Sequence, residues 1–102
     1  MDLFALERHG AALDFLSPAA RQGCGPLAQL MRRGLLHCVF QPLADLREGT
    51  IYAHEALIRG PEGSTLHRPD ALLQCAREEG LLQDFEMLCV VVALQQWGRQ
   101  GS

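Results

Sequence analysis

The sequence contains no lysine and no asparagine; its nine basic residues are all arginine. A phosphate-loop Lys, a Schiff-base Lys and any site built on an Asn ligand are therefore excluded from these 102 residues. Long apolar runs are missing too. The longest, 87–94, has eight residues, against the roughly 20 needed to span a bilayer as a helix. The opening Met1-Asp2-Leu3-Phe4 lacks the basic start and long apolar core of a secretory signal, so the expectation is a cytoplasmic chain with no membrane segment. A net charge of −3 leaves no broad basic face, which argues against a nucleic-acid polymer as partner. The four cysteines, at 24, 38, 75 and 89, form no CxxC pair and have no His at zinc-finger spacing; they read as small buried hydrophobes. What remains, at 48% hydrophobic and 21% charged, is the composition of an ordinary globular chain, long enough for one small domain or a piece of a larger one.

Residues 1–26 read as a helical lead-in or linker without recognisable chemistry. Ser17-Pro18 has the form of an N-cap followed by proline at the first helical position, and Gly23-Cys24-Gly25-Pro26 breaks the chain. Leu27, Leu30 and Met31 then give a short amphipathic helix, closed by Arg32-Arg33-Gly34. From residue 36 the pattern changes to strand formers, Leu36-His37-Cys38-Val39-Phe40-Gln41, which Pro42 ends or places at an edge. Asp45-Leu46-Arg47-Glu48-Gly49 is turn material, and residues 51–59 form a second strand, so 36–59 predicts two strands paired antiparallel. After the loop Gly60-Pro61-Glu62-Gly63-Ser64, Pro69-Asp70-Ala71 opens a helix that ends at Glu79 before Gly80, with Leu72, Cys75 and Ala76 as its apolar stripe. The segment 83–97 is locally ambiguous. Its valines at 90, 91 and 92 favour a strand, but Phe85, Leu88, Cys89 and Val92 recur at helical spacing and the length decides for a helix. Being apolar nearly all round, that helix is expected to be buried on more than one side, with 98–102 as a frayed end.

Alternation along the second strand puts Glu55, Leu57 and Arg59 on one face and His54, Ala56 and Ile58 on the other. A Glu within an apolar strand is either solvated on an edge strand or, if buried, paired, protonated or bound to a cation. Both readings stay open on the pattern alone. Arg59 is about 13 Å from Glu55 at about 3.3 Å per residue, so the two suit separate points of one site as well as a salt bridge. His54-Glu55 does not begin a zinc-protease motif, since position 58 is Ile58 and the element is a strand. His9, His37 and His67 share no ligand spacing, and Glu78-Glu79 reads as a solvated helix end.

Phe40-Gln41-Pro42-Leu43, then Asp45-Leu46-Arg47-Glu48-Gly49, then Glu55-Ala56-Leu57-Ile58-Arg59, taken in order with the matching turn, resembles the opening of an EAL domain. EAL domains are bacterial phosphodiesterases and receptors of the second messenger cyclic di-GMP. The helix from Pro69-Asp70-Ala71-Leu72-Leu73 to Glu78-Glu79-Gly80-Leu81-Leu82 is similar to the one that follows the EAL strand in that family. The resemblance spans about residues 27–97. It implies that 27–102 is the N-terminal portion of such a domain: a partial (β/α)₈ barrel of the modified TIM type, of which complete barrels take about 250 residues. It implies Glu55 as a ligand to Mg²⁺ or Mn²⁺, Arg59 as a contact to the ligand's phosphate, and Gln41 as a wall of the dinucleotide pocket. Carboxylate oxygens suit both ions. In the complete family site two ions activate a water for in-line attack on one phosphodiester, giving linear pGpG.

The family's other metal ligands include an Asn, a further Glu and an adjacent Asp pair, and a Lys helps to hold the attacking water; none has a counterpart here. Gly60-Pro61 stands where a Trp often follows the Arg. The expectation is therefore a fragment of a cyclic di-GMP phosphodiesterase domain that is inactive by itself. The alternative is a catalytically inactive EAL-like module that binds cyclic di-GMP or a partner protein. Two strands without the rest of a barrel also predict self-association or a partner chain on the open edge.

Overall fold

Prolines and caps decide where the helices begin. The computed structural model describes residues 15–100, which form, in chain order, α1 (Pro18–Gln22), α2 (Pro26–Arg32), β1 (His37–Asp45), β2 (Thr50–Arg59), α3 (Pro69–Glu79) and α4 (Leu82–Gln100). The first three helices each start on a proline, whose missing N–H costs nothing there. Ser17 caps α1 as its sequence suggests, its Oγ accepting from Ala20 N–H at 3.2 Å. The α2 cap, Gly25, has no side chain to offer. Its place is taken from α3: the Glu79 carboxylate accepts from Leu27 N–H at 2.9 Å and Ala28 N–H at 3.1 Å. Glu79 is thus not the solvated group that Glu78-Glu79 suggested, because the positive end of α2 lies against it. Asp84, in the first turn of α4, holds α1 in the same way, accepting from Ser17 N–H and Ser17 Oγ–H at 2.7 Å each.

Gly80 ends α3 at φ +70°, a conformation that costs other residues a steric penalty. Its N–H reaches Arg77 O at 3.2 Å, and Leu81 N–H reaches Ala76 O at 2.8 Å, the paired bonds of a Schellman stop. That stop turns Leu81 inward, 1% exposed, and launches α4. The core is built from Leu16, Ala20, Leu27, Ala28, Met31, Leu36, Cys38, Leu72, Ala76, Leu81, Phe85, Leu88 and Val92. Residues 15–26 therefore share one core with the strands and with α3 and α4.

The segment 83–97 is helical, as its length indicated, and the helix runs on to Gln100, with the last two residues of the expected frayed end, 101–102, outside the described residues. Only one of its faces is covered by described residues. Phe85, Leu88 and Val92 are buried, whereas Met87, Val90, Leu94 and Trp97 are 41–69% exposed. The expectation of burial on several sides fails because the two-stranded sheet and α3 together cover a single stripe.

β1 and β2 pair antiparallel from His37↔Arg59 to Asp45↔Thr50, with an irregularity between Leu43 and Ala44. β1 does not stop at Pro42 but continues to Asp45. Parity explains this. Cys38 N–H points away from β2 to the Gln96 side chain, so Pro42, four residues on, also has its nitrogen on the outer edge, where no ladder bond is lost. The Gln96 amide covers that edge at one point, accepting from Cys38 N–H at 2.7 Å and donating to Cys38 O at 3.2 Å. The fold among described residues is thus mixed α/β, four helices and one two-stranded antiparallel sheet. No described helix is long and apolar enough to cross a membrane.

Candidate functional site

α4 covers one face of the hairpin and leaves the other bare. Phe40 meets Trp97 with ring centroids 5.2 Å apart, His54 meets Trp97 at 4.9 Å, and Ile58 packs on the core beside buried Cys38. Strand alternation then turns His37, Val39 and Gln41 of β1, and Glu55, Leu57 and Arg59 of β2, to the opposite face. The register sets Gln41 directly across from Glu55, Val39 across from Leu57 and His37 across from Arg59. Opposed residues in a hydrogen-bonded pair have Cα atoms about 5.5 Å apart, so the Gln41 and Glu55 side chains are immediate neighbours. All three residues implied by the EAL resemblance, Gln41, Glu55 and Arg59, lie on this one uncovered surface.

Their environments differ. Glu55 and Gln41 are exposed, and Arg59 is half-buried. Of the two readings open for Glu55, the solvated one holds among the described residues, where no ion pair joins it to Arg59 or His37. Arg59 turns one guanidinium N–H back to Ile58 O at 2.9 Å. The surface thus presents an amide and a carboxylate side by side, a short apolar floor of Val39 and Leu57, and a guanidinium at the far end. That order suits a ligand with a polar head, a flat apolar body and an anionic group.

Mg²⁺ and Mn²⁺ ask for about six converging oxygens. The described residues contain no group of three His, Cys, Asp or Glu side chains able to hold an ion, and Glu55 has only the Gln41 amide beside it. The residues present do not by themselves fit a metal centre.

Three of the four thiols are poor nucleophiles. Burial pushes Cys89 up to about 12, with Cys38 and Glu86 nearby adding to the shift. Burial also raises Cys75 to about 11, helped by its S–H bond to Glu79 at 2.9 Å, and it raises Cys38. Cys24 departs from the buried-hydrophobe expectation and is exposed. Among the histidines, His54 stacks on Trp97, His67 bonds the Gly60 carbonyl at 3.2 Å through Nδ1, and His9 lies outside the described residues. One basic residue to which the sequence reading gave no role, Arg68, stands beside Arg59 in a depression; only the fold of the loop between them could have revealed it.

No protein-family model matches the chain, and no curated protein or solved structure matches it.

Proposed function

We propose that the chain is the opening part of an EAL-type cyclic di-GMP phosphodiesterase domain, and that the bare face of its hairpin forms one wall of the dinucleotide site. The observation that carries this reading is the register: Gln41 opposite Glu55, with Arg59 on the same uncovered face. The motif order supports it from the sequence side, and so does the antiparallel pairing of the two strands. In this reading the hairpin is the first edge of a modified (β/α)₈ barrel, with α3 and α4 against its outer side.

Each residue has a defined task. The Arg59 guanidinium binds a phosphate oxygen through charge-assisted hydrogen bonds, the strong class of such contacts. Gln41 offers a donor and an acceptor to the edge of a guanine or its ribose. Glu55 would contribute one carboxylate to a divalent-ion site, Mg²⁺ or Mn²⁺, only where further oxygen ligands came from outside these residues, and an ion held there would supply Lewis-acid chemistry at the phosphodiester. The chain's own share is to bind and orient the ligand.

Turnover of cyclic di-GMP by the domain that contains this chain tests the reading. Glu55→Gln keeps size and loses the anionic ligand, so release of pGpG should stop while Arg59→Ala mainly raises KM. Near-normal turnover by Glu55→Gln would remove the metal role. Ligand binding without any turnover in the wild type would favour an inactive receptor module instead.

A further inference from the structure

Beyond Arg59 the chain makes a closed loop that returns to its own start. Gly60 N–H donates to His67 O at 3.0 Å, and His67 Nδ1 lies 3.2 Å from Gly60 O. Inside the loop, Ser64 N–H and Ser64 Oγ–H both reach Pro61 O, at 3.1 and 2.7 Å, and Leu66 N–H donates to Ser64 Oγ at 3.2 Å. The closure leaves no room for a side chain at its neck: a Cβ on Gly60 would collide with Leu66 O. The loop is therefore a fixed clasp, and it sets His67 and Arg68 next to Arg59. With Pro69 and Asp70 these three line an open depression of about 710 Å³.

The charges in that depression are poorly answered. Arg59 is half-buried and donates only to Ile58 O among the described residues, and the exposed Arg68 side chain makes no hydrogen bond or ion pair there. Asp70 is the single carboxylate in the lining, and it sits in the first turn of α3, where the helix end favours its charge. The N-cap of α3 is the Arg68 backbone, with no side chain satisfying the first N–H groups. Two arginines and a histidine thus line one open volume at the start of α3, side chains of the kind that planar recognition of a phosphate uses.

We infer that Arg59, His67 and Arg68 form a phosphate-binding site, in which Arg68 is a second cationic arm that the EAL motif does not include. The site shares Arg59 with the reading above and so extends it, but it requires neither Glu55 nor a metal ion. Its ligand is a phosphate group, free or carried on a nucleotide.

The test is an NMR titration of the full chain, without metal, using inorganic phosphate and, separately, cyclic di-GMP. Phosphate should move the amide signals of 60–70 and the guanidinium signals of Arg59 and Arg68. Arg68→Gln should weaken phosphate binding about tenfold, the effect of one charge-assisted contact. Arg47→Gln removes the same charge from the distant hairpin turn and should leave binding unchanged. Equal weakening by both variants, or no phosphate-dependent change in 60–70, would overturn the site. Phosphate binding here without any response to cyclic di-GMP would keep the site and remove the EAL reading. A response to cyclic di-GMP at Gln41 and Glu55 that Arg68→Gln does not weaken would do the reverse.

Discussion

At the scale of single residues, Glu79 carries more of the fold than its place in the sequence suggests. Its carboxylate ties the start of α2 to the end of α3 through two backbone N–H groups and also accepts from the Cys75 thiol. Glu79→Ala removes all of this and should cost about 1–2 kcal/mol, the range for a lost helix cap, measured by chemical unfolding. No local pattern marks this role, because the partners lie 51 and 52 residues away; the Ser17 cap was legible because its partner is three residues away. The cysteines give a second residue-scale prediction. Thiols whose values are raised stay protonated in the folded chain where free thiols ionise, so at pH 8–9 iodoacetamide should modify Cys24 well before Cys38, Cys75 or Cys89. The sign for stability follows. The folded state holds protons that the unfolded state releases above its thiol value near 9, so stability is full below about pH 9 and falls as pH rises toward 11–12. Stability that instead increased over that window would contradict the buried or half-buried placement of these thiols.

Elements were largely legible, since they follow from periodicity and punctuation. The second strand and the helix Pro69–Glu79 stand where alternation and Gly80 set them, while the first strand runs on through Asp45 and leaves the turn at 46–49. What the sequence could not show was the partner of each edge. Pro42 could mark either a strand end or an edge position, since a lost N–H normally breaks a ladder, and only the register decides for the edge, where this N–H would have faced outward. Gln96 likewise has no local signature, yet its amide satisfies both backbone groups of Cys38 from across the core. Gln96→Ala leaves that N–H and C=O without a protein partner and should destabilise by about 1–3 kcal/mol. Faster hydrogen exchange at the Cys38 amide would accompany it; an unchanged exchange rate would mean that the edge is held by something else.

The whole molecule is incompletely covered by its described parts. Met87, Val90 and Leu94 form an exposed stripe on α4 at spacings of three and four, the seam of a helix that packs on another helix. A second copy of the chain laid on this stripe would cover it in a two-fold interface. Sedimentation should therefore show concentration-dependent association of the chain, reduced by Leu94→Glu; a monomer over the whole micromolar range would refute it. The candidate site was legible at this scale only in part. The Gln41, Glu55 and Arg59 motif could be read from residue order, but their meeting on one bare face depends on which side α4 covers, and Arg68 depends on the closed loop.

The same scale bounds the chemistry. One carboxylate with an amide beside it does not hold a hard cation, so the purified 102-residue chain should release no pGpG from cyclic di-GMP above a Glu55→Gln control. Binding does not carry that requirement. The central claim, that the uncovered face of the hairpin is a wall of a cyclic di-GMP site, is tested most directly by titrating the labelled chain with cyclic di-GMP at millimolar concentration and following each backbone amide by NMR. The account predicts shifts centred on Gln41, Glu55, Leu57 and Arg59, and their loss in Arg59→Ala. No shift in these residues, or shifts centred instead on the α4 side at Phe40, His54 and Trp97, would contradict it.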